Sequence, residues 1–380
     1  MNRYGRMRRA ALAGACALPI LLAGCSSLLP EQQAMKEIDP PQTGGQLPGA
    51  GGAAADAAAG GGSANPAEAA GSAADAGAGQ DAGQDEAGQA ASHLTVYVKD
   101  RGGYLAPVSL NAVLTADGEA GRKALELMVE GSSEAHLLPA GFKGILPKGT
   151  QVLSYKLDEQ TKTAVVDFSQ PFIDYNVQDE RRMLEAVTWT LTELPGVERV
   201  RLLAQGEPLR EMPVGGFPLD EPLSRGMGIN LEKQEGVPYS DTMPVTLYFS
   251  AISDENEPYY VPVTRLVRRS GDAARAALEQ LIAGPLGEGR LNAVMTQDMK
   301  AGDITLEDGV VTVNLQDDSY RPGEQMPAEM LQAVVLSMTE NTGASKVRIR
   351  MNGTDGVTDT EGVSYDSPVA RPDHVNGLRL

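Results

Sequence analysis

The feature that most constrains this chain is that its latter part repeats itself. Residues 185–206, EAVTWTLTELPGVERVRLLAQG, align with residues 332–353, QAVVLSMTENTGASKVRIRMNG, at an offset of 147. Eight of the 22 positions are identical. They are Ala186/Ala333, Val187/Val334, Thr192/Thr339, Glu193/Glu340, Gly196/Gly343, Val200/Val347, Arg201/Arg348 and Gly206/Gly353. Other segments follow in the same order. Leu94-Thr95-Val96-Tyr97 matches Val245-Thr246-Leu247-Tyr248, ALELMVEG at 124–131 matches ALEQLIAG at 277–284, and Val166-Asp167-Phe168 matches Val313-Asn314-Leu315. A sparse motif closes each unit: Pro222, Arg225, Ile229 and Asn230 correspond to Pro368, Arg371, Val375 and Asn376. Units of about 135 residues can each bury a core of their own, so this is a duplication and not a solenoid. The expected domains are 93–231 and 244–380, joined by a short polar linker over 232–243 that contains Pro238.

The local patterns of the two units agree. Residues 94–98 and 245–249 alternate and are rich in β-formers, and 107–114 and 261–267 read as further extended segments. Residues 119–129 place Ala124, Leu125, Met128 and Val129 on one helical face before Gly131, and 272–283 form the matching helix with Asp272 at its start. Strands are expected at 152–157 and 163–168, and at 303–306 and 310–315 around the tight-turn pair Asp308-Gly309. A second helix follows in each unit, over 179–194 and 327–339, and then a strand, over 200–204 and 346–350. The resulting fold class is α+β: two tandem homologous domains, each a small mixed or antiparallel sheet with two helices packed on it.

The N-terminus is of another kind. Arg3, Arg6, Arg8 and Arg9 precede an apolar stretch over 10–23 that is too short for a permanent membrane span. It ends in Leu22-Ala23-Gly24-Cys25, which matches a bacterial lipobox. Residues 1–24 therefore read as a lipoprotein signal peptide, with Cys25 the site of lipid attachment and membrane lipid its partner. Acyl chains add about 0.8 kcal/mol per buried CH₂, and two or more give stable anchoring. The expected location is the extracytoplasmic face of the cell membrane, with palmitate as one acyl group. Cys16 leaves with the signal, so the mature chain holds one cysteine and no internal disulfide. Residues 25–92 include an Ala/Gly-rich run with almost no large apolar side chain after Leu47. Such a run reads as a disordered tether with an r.m.s. span of roughly 45 Å.

The formal net charge is −19, and loss of the four signal arginines takes it to −23. Such a surface disfavours nucleic acid, whose phosphates need basic contacts. Few candidates for chemistry remain. The three histidines, His93, His136 and His374, occupy unmatched positions, and His93 reads as solvated beside the tether. No metal, catalytic or cofactor-binding residue is expected, and no cofactor. Asp167 lies in an apolar strand, but its counterpart is Asn314, which cannot act as a base; a shared turn- or edge-bonding role fits both. Trp189 aligns with Leu336 and reads as core. Arg225 and Arg371, in the repeated Pro-x-x-Arg-x-x-x-x-Asn motif, are the candidates for contact with a partner's carboxylates. The alternative for this motif is a returning strand whose Arg and Asn bond the protein's own backbone.

The opening strands ending in Tyr97 and Tyr248, the Ala-Leu-Glu-x-x-x-x-Gly helices, the Val-Asp-Phe-Ser strand at 166–169 and the helix-strand unit ending at Gly206 resemble the GerMN domain. That domain occurs twice in the GerM family of sporulation and germination lipoproteins. The ordered set carries the resemblance, over about 94–376 in the two copies. It implies a fold similar to ring-building motifs, a non-enzymatic protein, and envelope or sporulation-complex proteins as partners. A scaffold in the assembly between mother cell and forespore is the implied role, with an oligomer compatible with it. The second copy departs at Val313-Asn314-Leu315-Gln316, so that strand is not a fixed functional site. An extracytoplasmic ligand-binding lipoprotein, with a cleft between the units, and a cell-wall hydrolase are the alternatives.

Overall fold

The computed structural model describes residues 91–113, 119–287 and 289–377. The expected signal peptide, Cys25 and the tether up to residue 90 lie outside the described residues. The first repeat opens with a hairpin, β1 (Ala91–Lys99) and β2 (Leu105–Val113), followed by α1 (Glu119–Leu127). Then come β3 (Val152–Asp158), β4 (Thr163–Phe168), α2 (Glu180–Leu191), β5 (Arg199–Ala204) and the short β6 (Glu207–Pro208). A two-residue strand, β7 (Glu232–Lys233), lies within the expected linker. The second repeat has the hairpin β8 (Thr242–Ile252) and β9 (Pro258–Arg268), then α3 (Ala273–Ala283), β10 (Lys300–Glu307) and β11 (Val310–Gln316). After β12 (Gln325–Met326) it continues with α4 (Ala328–Thr342), β13 (Lys346–Met351), β14 (Thr358–Asp359) and β15 (Val369–Ala370).

The first repeat divides its strands between two sheets, and the second repeat does likewise but adds a third, the short parallel pair of β12 and β14. In the first, β3, β4, β5 and β6 lie in that order, with β4 and β5 parallel and α2 as their crossover. In the second, β10, β11, β13 and β15 do the same around α4. The parallel registers are equivalent, Val166 opposite Leu202 and Val313 opposite Ile349. Alternation along β4 and β11 sends Ala164, Val166 and Phe168, and Val311, Val313 and Leu315, fully into the cores. The opening hairpin of each repeat stands apart from this sheet and packs on the other side of the second helix. Tyr97 N–H donates to Thr190 Oγ1 at 2.9 Å, and Tyr248 N–H donates to Ser337 Oγ at 3.0 Å, so a helix hydroxyl satisfies the same strand amide in both repeats. Each repeat has a largely aliphatic core, Ala106 of β2 belongs to the second repeat's core, and Phe142 touches both.

Several differences from the sequence patterns have local causes. The second helix of the second repeat runs to Thr342 and closes at Gly343, which is left-handed at φ 67°. The first repeat has Pro195 at the position of Thr342 and its helix stops at Leu191. The 308–309 turn has Asp308 at φ 49° and Gly309 at φ 74°, the pairing a two-residue hairpin demands. Asp272 caps α3 by accepting from Arg275 N–H at 2.9 Å. Among the described residues no helix is long and apolar enough to cross a membrane.

Candidate functional site

Several polar residues shared by both repeats converge where the repeats meet. Arg225 Nη2 lies 2.7 Å from Glu193 Oε1 in its own repeat, and its Nη1 lies 3.0 Å from Glu340 Oε2 in the other. Its Nε donates to Thr192 Oγ1 at 2.9 Å, and its guanidinium sits 4.5 Å from the Trp189 ring centroid. Arg371 repeats the arrangement from the opposite side. Its Nη1 lies 3.2 Å from Glu340 Oε2, its Nη2 lies 3.9 Å from Glu193 Oε1 and donates to the Tyr248 hydroxyl at 2.7 Å. The Tyr97 hydroxyl donates to Glu193 Oε1 at 2.7 Å, and the Tyr248 hydroxyl to Glu340 Oε2 at 3.4 Å. Two arginines, two glutamates and two tyrosines thus form a pseudo-twofold network.

The charges hold one another in place. Burial alone would raise the Glu193 carboxyl, but the Arg225 and Arg371 guanidiniums outweigh it and hold the group below the usual carboxylate range. Burial would lower the Arg225 guanidinium, and Glu193 and Glu340 keep it well above its ordinary value instead. Burial pushes the Tyr97 phenol well up and the Tyr248 phenol up to about 12, so both hydroxyls stay protonated donors at neutral pH.

The motif asparagines complete the junction. Asn230 accepts from Leu105 N–H at 2.9 Å and donates through Nδ2 to Leu105 O at 2.7 Å and Pro262 O at 2.8 Å. Asn376 accepts from Tyr260 N–H at 2.8 Å and donates to Tyr260 O at 2.8 Å and Pro107 O at 2.9 Å. Hairpin registers make Leu105 equivalent to Tyr260 and Pro107 to Pro262. Each side-chain amide therefore imitates a strand neighbour for its own repeat and reaches across to a proline carbonyl of the other. Proline has no N–H, so these two edge positions present only the acceptor that the amide needs. Both asparagines are left-handed, at φ 47° and 57°, a conformation asparagine tolerates better than most residues.

The closing tails are exchanged. Ile229 N–H donates to Thr264 Oγ1 at 3.0 Å, Thr264 N–H donates to Ile229 O at 2.8 Å, and β7 runs parallel to β9 with Glu232 opposite Arg265. Conversely, Gly377 forms a parallel bridge with Ser109 of β2, and the Ser109 hydroxyl donates to Val375 O at 2.9 Å. The tail of each repeat thus borders the hairpin of the other. At the hairpin tips, the Tyr259 hydroxyl donates to Asp100 Oδ2 at 2.8 Å, and Arg101 pairs with Asp254. The segment expected as a linker is held as well. Arg265 is fully buried and gives its Nη2 to Glu232 Oε2 at 3.0 Å and to Gly284 O at 3.1 Å.

The other sequence candidates have plain positions. Asp167 Oδ1 accepts from Gly206 N–H at 2.9 Å, and Asn314 Oδ1 accepts from Gly353 N–H at 2.8 Å, which is the shared edge-bonding role. Trp189 is fully buried and its indole donates to Gly228 O at 3.0 Å. His93 and His374 are exposed, and their ring centroids are 4.1 Å apart, a proximity that their distant sequence positions concealed. Among the described residues no three or more His, Cys, Asp or Glu side chains are grouped to hold a metal ion. Sequence reasoning assigned no role to Glu193, Glu340, Asn230 or Asn376 at a junction, although their recurrence in both repeats was the available signal. Arg225 and Arg371 both engage carboxylates of this chain.

Three comparisons bear on these observations. A family model described as "Germane: Sporulation and spore germination" matches residues 95–210 and 246–357. The chain is 32% identical over 366 residues to the spore germination protein GerM of Bacillus subtilis (strain 168), covering 94% of each chain. Among solved structures it is similar to the tandem GerMN domains of the sporulation protein GerM from Bacillus subtilis. That likeness has a TM-score of 0.69 and 33% identity, and it covers 75% of this chain and 99% of that one.

Proposed function

The chain belongs to the Germane family, and from that premise we propose that it acts in sporulation and spore germination as a membrane-anchored, non-enzymatic scaffold lipoprotein. Its place in this reading is the envelope between mother cell and forespore, on the extracytoplasmic face of the membrane. Cys25 carries the lipid, residues 25–92 give reach, and the paired repeats are the presented body. The partners are proteins of the sporulation envelope complex.

One observation supports the scaffold reading above the others. Four pairs of polar side chains that recur in both repeats, Tyr97/Tyr248, Glu193/Glu340, Arg225/Arg371 and Asn230/Asn376, are engaged where one repeat joins the other. Recurrent polar residues used for joining favour an architectural role over a reaction. Deletion of the gene is expected to impair sporulation or germination, and normal spores from the null strain would refute the reading. The anchor has its own test. Cys25→Ala should move the protein from the membrane fraction to the soluble fraction and abolish labelling by a palmitate analogue.

A further inference from the structure

One recurring feature takes no part in the junction. The offset of 147 aligns Arg199-Val200-Arg201 of β5 with Lys346-Val347-Arg348 of β13. Alternation along these strands buries Val200, Leu202, Val347 and Ile349 against the cores and turns the basic residues to the outer face of each sheet. The sheet registers put Lys156 in the row of Arg201, through Val165, and Thr305 in the row of Arg348, through Thr312. Among the described residues Arg199, Arg201, Lys346 and Arg348 have no side-chain hydrogen bond or ion pair. The Arg348 Nε is moreover buried and has no hydrogen-bond partner. A buried donor left alone is costly, and a group that arrives from outside would relieve it.

The chain has 51 acidic residues against 32 basic ones, so unpaired outward cations run against its average. The acids beside these faces are mostly engaged elsewhere. Asp158 Oδ1 accepts from the Gln160 and Thr161 N–H groups, and Asp167 Oδ1 from Gly206 N–H. Glu198 pairs with Lys162, and Asp355 with Arg350, the next outward residue of β13. Glu307 shares a row with Lys346, but Val310 stands between them. Recurrence, which elsewhere marks bonds between the repeats, here marks cations that the chain itself does not use.

We propose that each outer face receives an extended acidic segment of a partner polypeptide, whose carboxylates at alternate positions address Arg199 and Arg201 on β5, or Lys346 and Arg348 on β13. The geometry suits a polypeptide. Alternate residues of a strand recur about every 6.6–6.8 Å, and a second extended chain laid along it has the same period. Carboxylates at positions i and i+2 therefore fall on successive cations, and a guanidinium can hold each in a bidentate pair. Half-buried Val165 and Leu203 on the first face, and Val310 on the second, offer apolar contact to neighbouring side chains of the segment. The inference stands on the recurrence of unpaired cations and holds whatever assembly the chain serves.

The test is fluorescence anisotropy of a labelled peptide of alternating glutamate and threonine, titrated with the detergent-solubilised full chain. The same peptide with glutamine for glutamate, and an isomer with its glutamates in one block, are the controls. Saturable binding of the alternating peptide is expected, with both controls weaker by about tenfold or more. Affinity should fall as salt rises. Arg201→Gln and Arg348→Gln should each remove the site on one face, and together they should abolish binding. Thermal melts establish that each variant is folded, and should Arg348→Gln not fold, Arg201→Gln and the peptide comparison still decide. Absent saturable binding, equal binding of either control, or unchanged binding to the folded double variant would overturn the proposal. So would displacement of the labelled peptide by inorganic polyphosphate or phosphatidylglycerol micelles at lower concentration than by the unlabelled peptide. Self-association of the full chain that the double variant loses would overturn it by naming a second copy as the occupant. Peptide binding about tenfold tighter after Asp81→Asn, Asp85→Asn and Glu86→Gln would do so by naming the chain's own preceding segment.

Discussion

The two repeats share a frame and differ wherever their surroundings differ. At the pseudo-twofold axis they carry the same residues, because each repeat must present to the other what the other presents to it. Away from the axis the identity lapses. Position 110 is a buried leucine in the first repeat, and its counterpart in the second is the buried Arg265. Arg265 meets the Glu232 carboxylate, which the segment between the repeats supplies. Recurrence of the Tyr, Glu, Arg and Asn pairs thus marks the shared junction, and divergence around it marks one-sided tasks.

The comparison can be broken most severely at Arg225. Arg225→Ala takes away the nearer cation of Glu193 and leaves Arg371 to face both glutamates, and a loss of about 3 kcal/mol in a denaturant melt is expected. A loss below 1 kcal/mol would mean that the network is ornamental. Arg265→Leu gives the second repeat the first repeat's residue. It should cost less, about 2–3 kcal/mol, because Glu232 keeps some access to solvent. Asn230→Ala removes three hydrogen bonds and puts alanine in a left-handed site, for a loss of roughly 2–3 kcal/mol. The smallest change is expected from Asp167→Asn, which installs the second repeat's residue and retains the acceptor for Gly206 N–H; stability should move by less than about 0.5 kcal/mol.

Acid separates the network from the cores. Because the folded Glu193 carboxyl is held below its unfolded value, its contribution is complete above the ordinary glutamate pKa of about 4.3. It is lost as the pH falls through the lower folded value. Glu193→Gln should therefore flatten this part of the acid limb of the stability profile, and an unchanged limb would remove Glu193 from the account.

Much of the frame was legible in the sequence because each signal was local. The alternation in β4, the helical apolar face of α2 and the Asp308-Gly309 turn each settle a few residues by short-range rules. The duplication then carried each assignment to the other repeat. The tail exchange was not legible, since either arrangement of tails satisfies the same local patterns. Asn230 illustrates the limit. Its recurrence as Asn376 was visible, but that its amide stands in for a strand against Leu105 and reaches Pro262 depends on residues far apart in the chain. The expected linker is a similar case: polarity and Pro238 suggested a short linker, and that Glu232 is held by Arg265 depends on an arginine that only the tertiary structure brings near.

The central claim is that the exchanged tails and the Arg–Glu–Tyr network, and not the covalent connection, hold the repeats together. A protease site placed between Gln234 and Ser240 of the full chain tests it directly, by cutting the connection and following the halves by size-exclusion chromatography. The account predicts that the cut halves elute together at neutral pH and separate when Arg225→Ala and Asn230→Ala are combined. Separation of the halves in the otherwise unaltered protein would contradict it.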